Sequence, residues 1–108
     1  TEKLVNENIK IDAIFSESDS MLSGFRAAYE KAGLEPSKVI TVGCDYTSEA
    51  KDSIKKGTQT ASILFPLGGK KSIEVALDIL AKKNIQKHIV IPVELVTKEN
   101  VEIVNPIF

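Results

Sequence analysis

The 108-residue chain is 43% hydrophobic and 27% charged, with a formal net charge of −1; this balance excludes a disordered or fibrous polypeptide and fits one small globular domain. With 14 Lys and Arg against 15 Asp and Glu, no basic excess is present to neutralise phosphates, which excludes nucleic acid as the main partner. No apolar run approaches the ~20 residues of a membrane span, and the longest, Ile89–Val96, is interrupted by Pro92 and Glu94.

Residues 1–9 carry Leu4, Val5 and Ile9 and read as the tail of a helix. Thr1 opens straight into polar sequence with neither an initiating Met nor a leader, so the chain is expected to be cut from a longer protein. Ile11–Phe15 is a short apolar run, read as the first strand. From Asp19 to Ala32, the residues Met21, Leu22, Phe25, Ala28, Tyr29 and Ala32 recur three and four apart, which predicts a helix capped by Gly33. Val39–Gly43 is the second strand. A helix from about Ser48 to Lys56 follows, with Thr47 or Ser48 as N-cap, Ala50 and Ile54 inward and Gly57 as its stop. Thr60–Phe65 is the third strand. Gly68 to Lys82 predicts a helix with the stripe Ile73, Ala76, Leu77 and Leu80, and with Lys82 and Lys83 at the end where cations suit the helix dipole. Ile89–Val96 is the fourth strand, expected at an edge or with an irregularity because Pro92 cannot donate to a ladder.

The order (α)βαβαβαβ predicts an α/β fold: a partial three-layer α-β-α, Rossmann-like lobe with parallel strands and right-handed crossovers, its first three strands adjacent in chain order. The strands are apolar nearly throughout, as strands covered on both faces are.

Ligand sites in such sheets lie beyond the carboxyl ends of the strands. Two segments qualify, Ser16-Glu17-Ser18-Asp19 and Cys44-Asp45-Tyr46-Thr47, and both point to the same edge. The candidate binding residues are therefore Asp45, Ser18 and Asp19. Asp45 is the strongest, because Thr47 or Ser48 already offers a cap for the next helix and an ionised carboxylate can accept two hydroxyl hydrogens. Asp19 stands where an Asp caps a helix, and Ser18 where a Ser commonly makes a local turn.

The remaining chemistry-bearing residues carry less. Cys44 is the only cysteine and His88 the only histidine. No disulfide, His-pair metal site or Ser-His-type nucleophile is therefore expected, and neither a cofactor nor catalysis. Cys44 reads as a small buried apolar residue at a strand end, and His88 as a solvated loop residue. Gly68-Gly69-Lys70-Lys71-Ser72 is not a Walker A loop, because the position that needs the earlier Gly is Leu64. Asp45 is not read as a receiver-type phospho-acceptor, since Asp12 and Asp19 do not form the adjacent acidic pair of such domains.

Several segments resemble the type I periplasmic sugar-binding proteins, the ribose-binding and lactose-repressor-like superfamily. Ile11-Asp12-Ala13-Ile14-Phe15-Ser16-Glu17-Ser18-Asp19-Ser20-Met21 resembles that family's "DAIF-x-x-N-D-x-M" segment, with Gly24 in the helix glycine position. Val42-Gly43-Cys44-Asp45 resembles "V-G-F-D", the run Ile54 to Ile63 resembles "I-K-x-G-x-L-x-A-T-V", and Val96-Thr97-Lys98-Glu99-Asn100-Val101 resembles "VTKENV". The resemblance spans Ile9 to Val101 and implies a bilobed protein that closes on a small sugar-like ligand. It implies that residues 1–64 belong to the C-terminal lobe, 65–88 to a hinge and a helix packed on the other lobe, and 89–108 to a return strand and tail. It places Asp45 on the family's sugar-binding Asp and Ser18 on its binding Asn. Cys44 stands where Phe is common, and the family's hinge Gln has no match in the shorter Leu64–Gly69 segment.

The resemblance also implies a periplasmic or extracytoplasmic protein working with a membrane permease or a sensor kinase. The alternative is the cytoplasmic effector domain of a lactose-repressor-type regulator. The missing N-terminal lobe is then the main partner, and without it the fragment is expected to self-associate through the stripe of its third long helix.

Overall fold

A computed structural model describes all residues, Thr1–Phe108. Its elements are α1 (Glu2–Asn6), β1 (Ala13–Phe15), α2 (Asp19–Lys31), a 3-10 turn at Pro36–Lys38, β2 (Ile40–Cys44), α3 (Ser48–Lys56), β3 (Ala61–Leu64), α4 (Gly69–Leu80) and β4 (Glu94–Thr97). None of the helices is long and apolar enough to cross a membrane. The helix ends follow local chemistry. Gly57 closes α3 at φ +79° and Gly33 follows α2 at φ +72°, a region that glycine enters without a side-chain penalty.

The four strands form one sheet in the order β1-β2-β3-β4. β1, β2 and β3 are parallel, as expected of short right-handed crossovers. β4 is antiparallel to β3, so the sheet is mostly rather than wholly parallel. The physical reason is the route of the chain. β3 ends at Leu64, the chain leaves the sheet at its carboxyl edge, and it re-enters at the same edge, where Leu64 pairs with Glu94. A segment that returns where it left must run the other way. The strand begins at Glu94, so Pro92 falls outside the ladder, and Ile89–Val93 carries no strand.

Register sorts the strand residues into two faces. Ile14, Thr41, Gly43, Ser62 and Val96 share one face, because Ile14 pairs with Thr41, Gly43 with Ser62 and Ser62 with Val96. Helices α2 and α3 both cover it. Leu22, Phe25 and Tyr29 of α2 pack with Val39 and against Ile14, while Ile54 of α3 packs with Tyr46, Val96 and Val101. Sequential right-handed crossovers put consecutive helices on one side. The opposite face presents Phe15, Ile40 and Leu95, each more than half exposed. Two of the three expected layers are thus present, and the apolar second face lies open.

The excursion from Phe65 to Val93 stands apart. α4 buries none of its residues, and Ile73, Leu77 and Leu80 of its stripe are exposed. Ile89 and Ile91 line a shallow groove beside Val75, Ala76 and Ile79. The Cα radius of gyration is 18.0 Å, with extents of 60 × 29 × 18 Å, whereas a compact chain of this length has about 13 Å.

Candidate functional site

The carboxyl edge is built by two loops. After β1, the Ser16 N–H donates to Val42 O at 2.9 Å, and the Ser16 hydroxyl donates to Ser18 O at 2.9 Å. Ser18 is the N-cap of α2, its Oγ accepting from Ser20 N at 3.1 Å. The capping duty expected of Asp19 therefore belongs to Ser18, and Asp19 is the first residue of the helix itself.

After β2 the backbone turns sharply. Asp45 and Tyr46 have φ of +96° and +60°, two consecutive non-glycine residues in the left-handed region. Such a conformation costs on the order of 1–3 kcal/mol per residue and persists only where surroundings over-determine it. They do so here. Asp45 N–H donates to Ile63 O at 2.9 Å. Tyr46 N–H donates to Asp19 Oδ2 at 2.7 Å and to Ser62 Oγ at 3.1 Å. The Tyr46 ring is fully buried, and its hydroxyl donates toward Val104 O at 3.1 Å and Val101 O at 3.3 Å. Tyr46 O accepts from Ile107 N at 3.0 Å.

The Asp45 carboxylate makes no hydrogen bond or ion pair within the chain, although its backbone is held in the turn. Thr47 caps α3, its Oγ1 accepting from Ala50 N at 3.1 Å, so the Asp45 carboxylate is not needed there. It is partly exposed at the sheet edge and remains able to accept hydrogens from outside the chain.

Asp19 is placed differently from the sequence expectation. Its exposure is 0%. Besides Tyr46 N, its carboxylate accepts from Ser62 Oγ at 2.7 Å, Gln59 Nε2 at 2.7 Å and Thr47 N at 3.4 Å. Gln59 in turn accepts from Arg26 Nη1 at 2.7 Å, and Arg26 pairs with Glu49. The structure thus brings Ser18 and Asp45 to one edge and withdraws Asp19 beneath it. Sequence reasoning passed over Gly43, Gln59 and Ser62, the residues that seat Asp19. Ser62, a hydroxyl inside an apolar strand run, was the one legible sign.

Cys44 lies beside this turn on the open face, partly buried. Burial first, and then the charges of Asp45, Asp19 and Glu17, push its thiol above the ordinary range. The nucleophilic thiolate is disfavoured there.

The model of the periplasmic binding protein domain family matches residues 1–84. The ribose import binding protein RbsB of Bacillus subtilis (strain 168) is 32% identical over 100 residues, covering 91% of this chain and 32% of that protein. Among solved structures, the fructose-binding periplasmic domain of a hybrid two-component system superposes with a TM-score of 0.84 at 27% identity, over 94% of this chain and 35% of that one. An ABC transporter solute-binding protein from Bacillus halodurans C-125 with bound myo-inositol gives a TM-score of 0.81 at 32% identity, again over 94% of this chain and 35% of that one. The chain spans about a third of the length of the curated relatives it matches. With a family model matched over residues 1–84 and a sheet that superposes on solved members of this fold, this chain belongs to the periplasmic binding protein domain family.

Proposed function

We propose that this chain is the C-terminal part of a bilobed, extracytoplasmic solute-binding protein, and that its carboxyl edge takes one side of a small sugar-like ligand. The observation that carries the reading is the Asp45 carboxylate, held on a pinned left-handed turn and released from capping by Thr47. An ionised carboxylate accepts vicinal hydroxyl hydrogens in pairs, and ribose, fructose and myo-inositol, named for the relatives, are all vicinal polyols. Ser18 adds a hydroxyl from the neighbouring loop. The task is capture and release, with no catalytic step.

Residues 1–64 then form part of the C-terminal lobe. Residues 65–88 cross the hinge and place α4 on the other lobe, and residues 89–108 return to the sheet. The unburied faces of α4 and the departure and return at one edge support this division. Delivery to a membrane permease is the leading role, in line with the import and transporter proteins among the relatives. Sensing is the second reading, favoured by the superposition on a two-component-system domain.

Asp45→Asn in the full-length protein tests the reading. Asn keeps the side-chain shape and tolerates a positive φ, where Ala would add backbone strain. Hydrogen bonds to a charged group contribute ~1.5–3 kcal/mol each, and ~1.4 kcal/mol is a decade in affinity. Titration calorimetry against D-ribose, D-fructose, D-allose and myo-inositol is expected to show binding weakened roughly ten- to a hundredfold, with the melting curve little changed. Unchanged affinity in a normally folded variant removes Asp45 from the site.

A further inference from the structure

The polar cluster beneath the Asp45 turn exceeds what packing a helix onto a sheet requires. The fully buried Asp19 carboxylate meets four donors and no cation directly. Two of these donors are the backbone N–H groups of Tyr46 and Thr47, the residues that come after Asp45. The direction of every hydrogen bond is determined by the chain of partners. Arg26 can only donate, so Gln59 must present its oxygen to Arg26 and its NH2 to Asp19 and to Ala61 O, the latter at 3.0 Å. Ser62 donates to Asp19 and accepts from Tyr46 N. All the donors therefore converge on Asp19, and only an acceptor at both of its oxygens satisfies them.

Room for that carboxylate is made by Gly43. A Cβ at this position would lie 2.1 Å from Asp19 Oδ1. Sheet, helix and turn are thus joined at one carboxylate, which occupies the space a side chain of β2 would fill.

We propose that Asp19 is a positioning residue: by accepting from the Tyr46 and Thr47 amides, it holds Asp45 in the left-handed turn that presents its carboxylate to a ligand, and it governs affinity without touching the ligand. This rests on the reading of Asp45 as a ligand contact. Asp19→Asn preserves volume and replaces one acceptor by a donor. Either the Tyr46–Ser62 side or the Gln59 side then faces donor against donor. Flipping Gln59 only moves the conflict to Arg26 and deprives Ala61 O of its partner.

The test uses the full-length protein that contains this chain. Hydrogen exchange of the Tyr46 and Thr47 amides, without ligand, reads the turn itself. Asp19→Asn is expected to lose protection there while the β2 and β3 amides keep theirs; unchanged protection at Tyr46 overturns the proposal. Calorimetry with the same four polyols, well below the melting temperature, reads the consequence. Asp19→Asn is expected to weaken binding about tenfold. In an Asp45→Asn background the same change is expected to add less than about twofold, since neighbouring sites acting through one contact are not additive. Equal losses in both backgrounds make Asp19 merely structural and overturn the proposal. Should Asp19→Asn fail to fold, Ser62→Ala removes one arm of the same cluster and is expected to show both effects more weakly, with the same overturning outcomes. Wild-type binding by Asp45→Asn sinks the functional reading and the positioning role together. Weakened binding by Asp45→Asn with none by Asp19→Asn sinks the positioning role alone.

Discussion

Gly43 and Cys44 are consecutive, and they face opposite sides of the sheet with opposite constraints. Gly43 lies under α2, where an added Cβ would meet Asp19 Oδ1 at 2.1 Å and Leu22 Cδ1 at 3.1 Å. Gly43→Ala must therefore expel the Asp19 carboxylate from its donors. Overpacking of this kind costs ~1–3 kcal/mol, and stranded buried donors add to it. Urea unfolding is expected to show a loss of roughly 2–4 kcal/mol, and an unaffected midpoint would mean that Asp19 is seated elsewhere. Cys44 faces the open side, with its thiol pushed up by burial and then by the charges of Asp45, Asp19 and Glu17. Its alkylation by iodoacetamide should rise only at a higher pH than that of an ordinary thiol. Asp45→Asn removes one of those charges and should move the rate profile to lower pH, whereas a profile indifferent to Asp45 contradicts the electrostatic account. The place of Asp45 at the carboxyl edge was legible in the sequence because strand, acidic residue and independent cap are contiguous. Asp19 was not, because its partners Tyr46, Gln59 and Ser62 lie 27, 40 and 43 residues away.

α3 and the C-terminal tail behave as one unit at the scale of elements. Thr47 caps the helix from within, while Phe108 O accepts from Ser48 N at 2.9 Å and Val104 O accepts from Lys51 Nζ at 2.9 Å. Tyr46 ties this tail to the sheet through its buried hydroxyl. Tyr46→Phe leaves the ring in place and removes the donor, at a cost of about 1 kcal/mol. Burial first, then Glu102 and Glu94, push the Tyr46 phenol up. A group raised on folding contributes its full stabilisation below the unfolded value, about 10 for Tyr, and loses it as pH rises through the folded value. The wild-type chain should therefore lose stability more steeply above pH ~10 than Tyr46→Phe does, as read by urea midpoints across that range. Parallel slopes would place the phenol in water.

The whole molecule is two bodies of unequal completeness. The sheet with α2 and α3 encloses two apolar clusters, whereas α4 encloses none. An amphipathic helix draws most of its stability from packing its apolar face, and contiguous exposed apolar surface marks an interface. The chain on its own carries two such surfaces, the α4 stripe and the sheet face around Phe15, Ile40 and Leu95. In isolation it should associate with concentration in sedimentation equilibrium, and Leu77→Glu with Leu80→Glu should weaken that association. A monomer at all concentrations, with the stripe protected from exchange, would contradict this view.

Local chemistry alone determined most elements of this protein. The 3.6-residue spacing of Leu22, Phe25 and Tyr29 specifies α2, and Gly57 specifies the end of α3, because both act through nearest neighbours along the chain. The sequential order of β1, β2 and β3 was equally legible, since a short crossover has one favoured hand. Tertiary structure decided the direction of β4, because that depends on where a long excursion re-enters the sheet. It decided that the apolar second face of the sheet is open here, because apolar strand sequence records a need for cover and not its source. It also decided which of two acidic residues at the edge faces outward. Asp19 and Asp45 both follow strands at this edge, and the convergence of Gln59, Ser62 and the Tyr46 amide, brought together from across the sheet, buries the first while the second stays partly exposed.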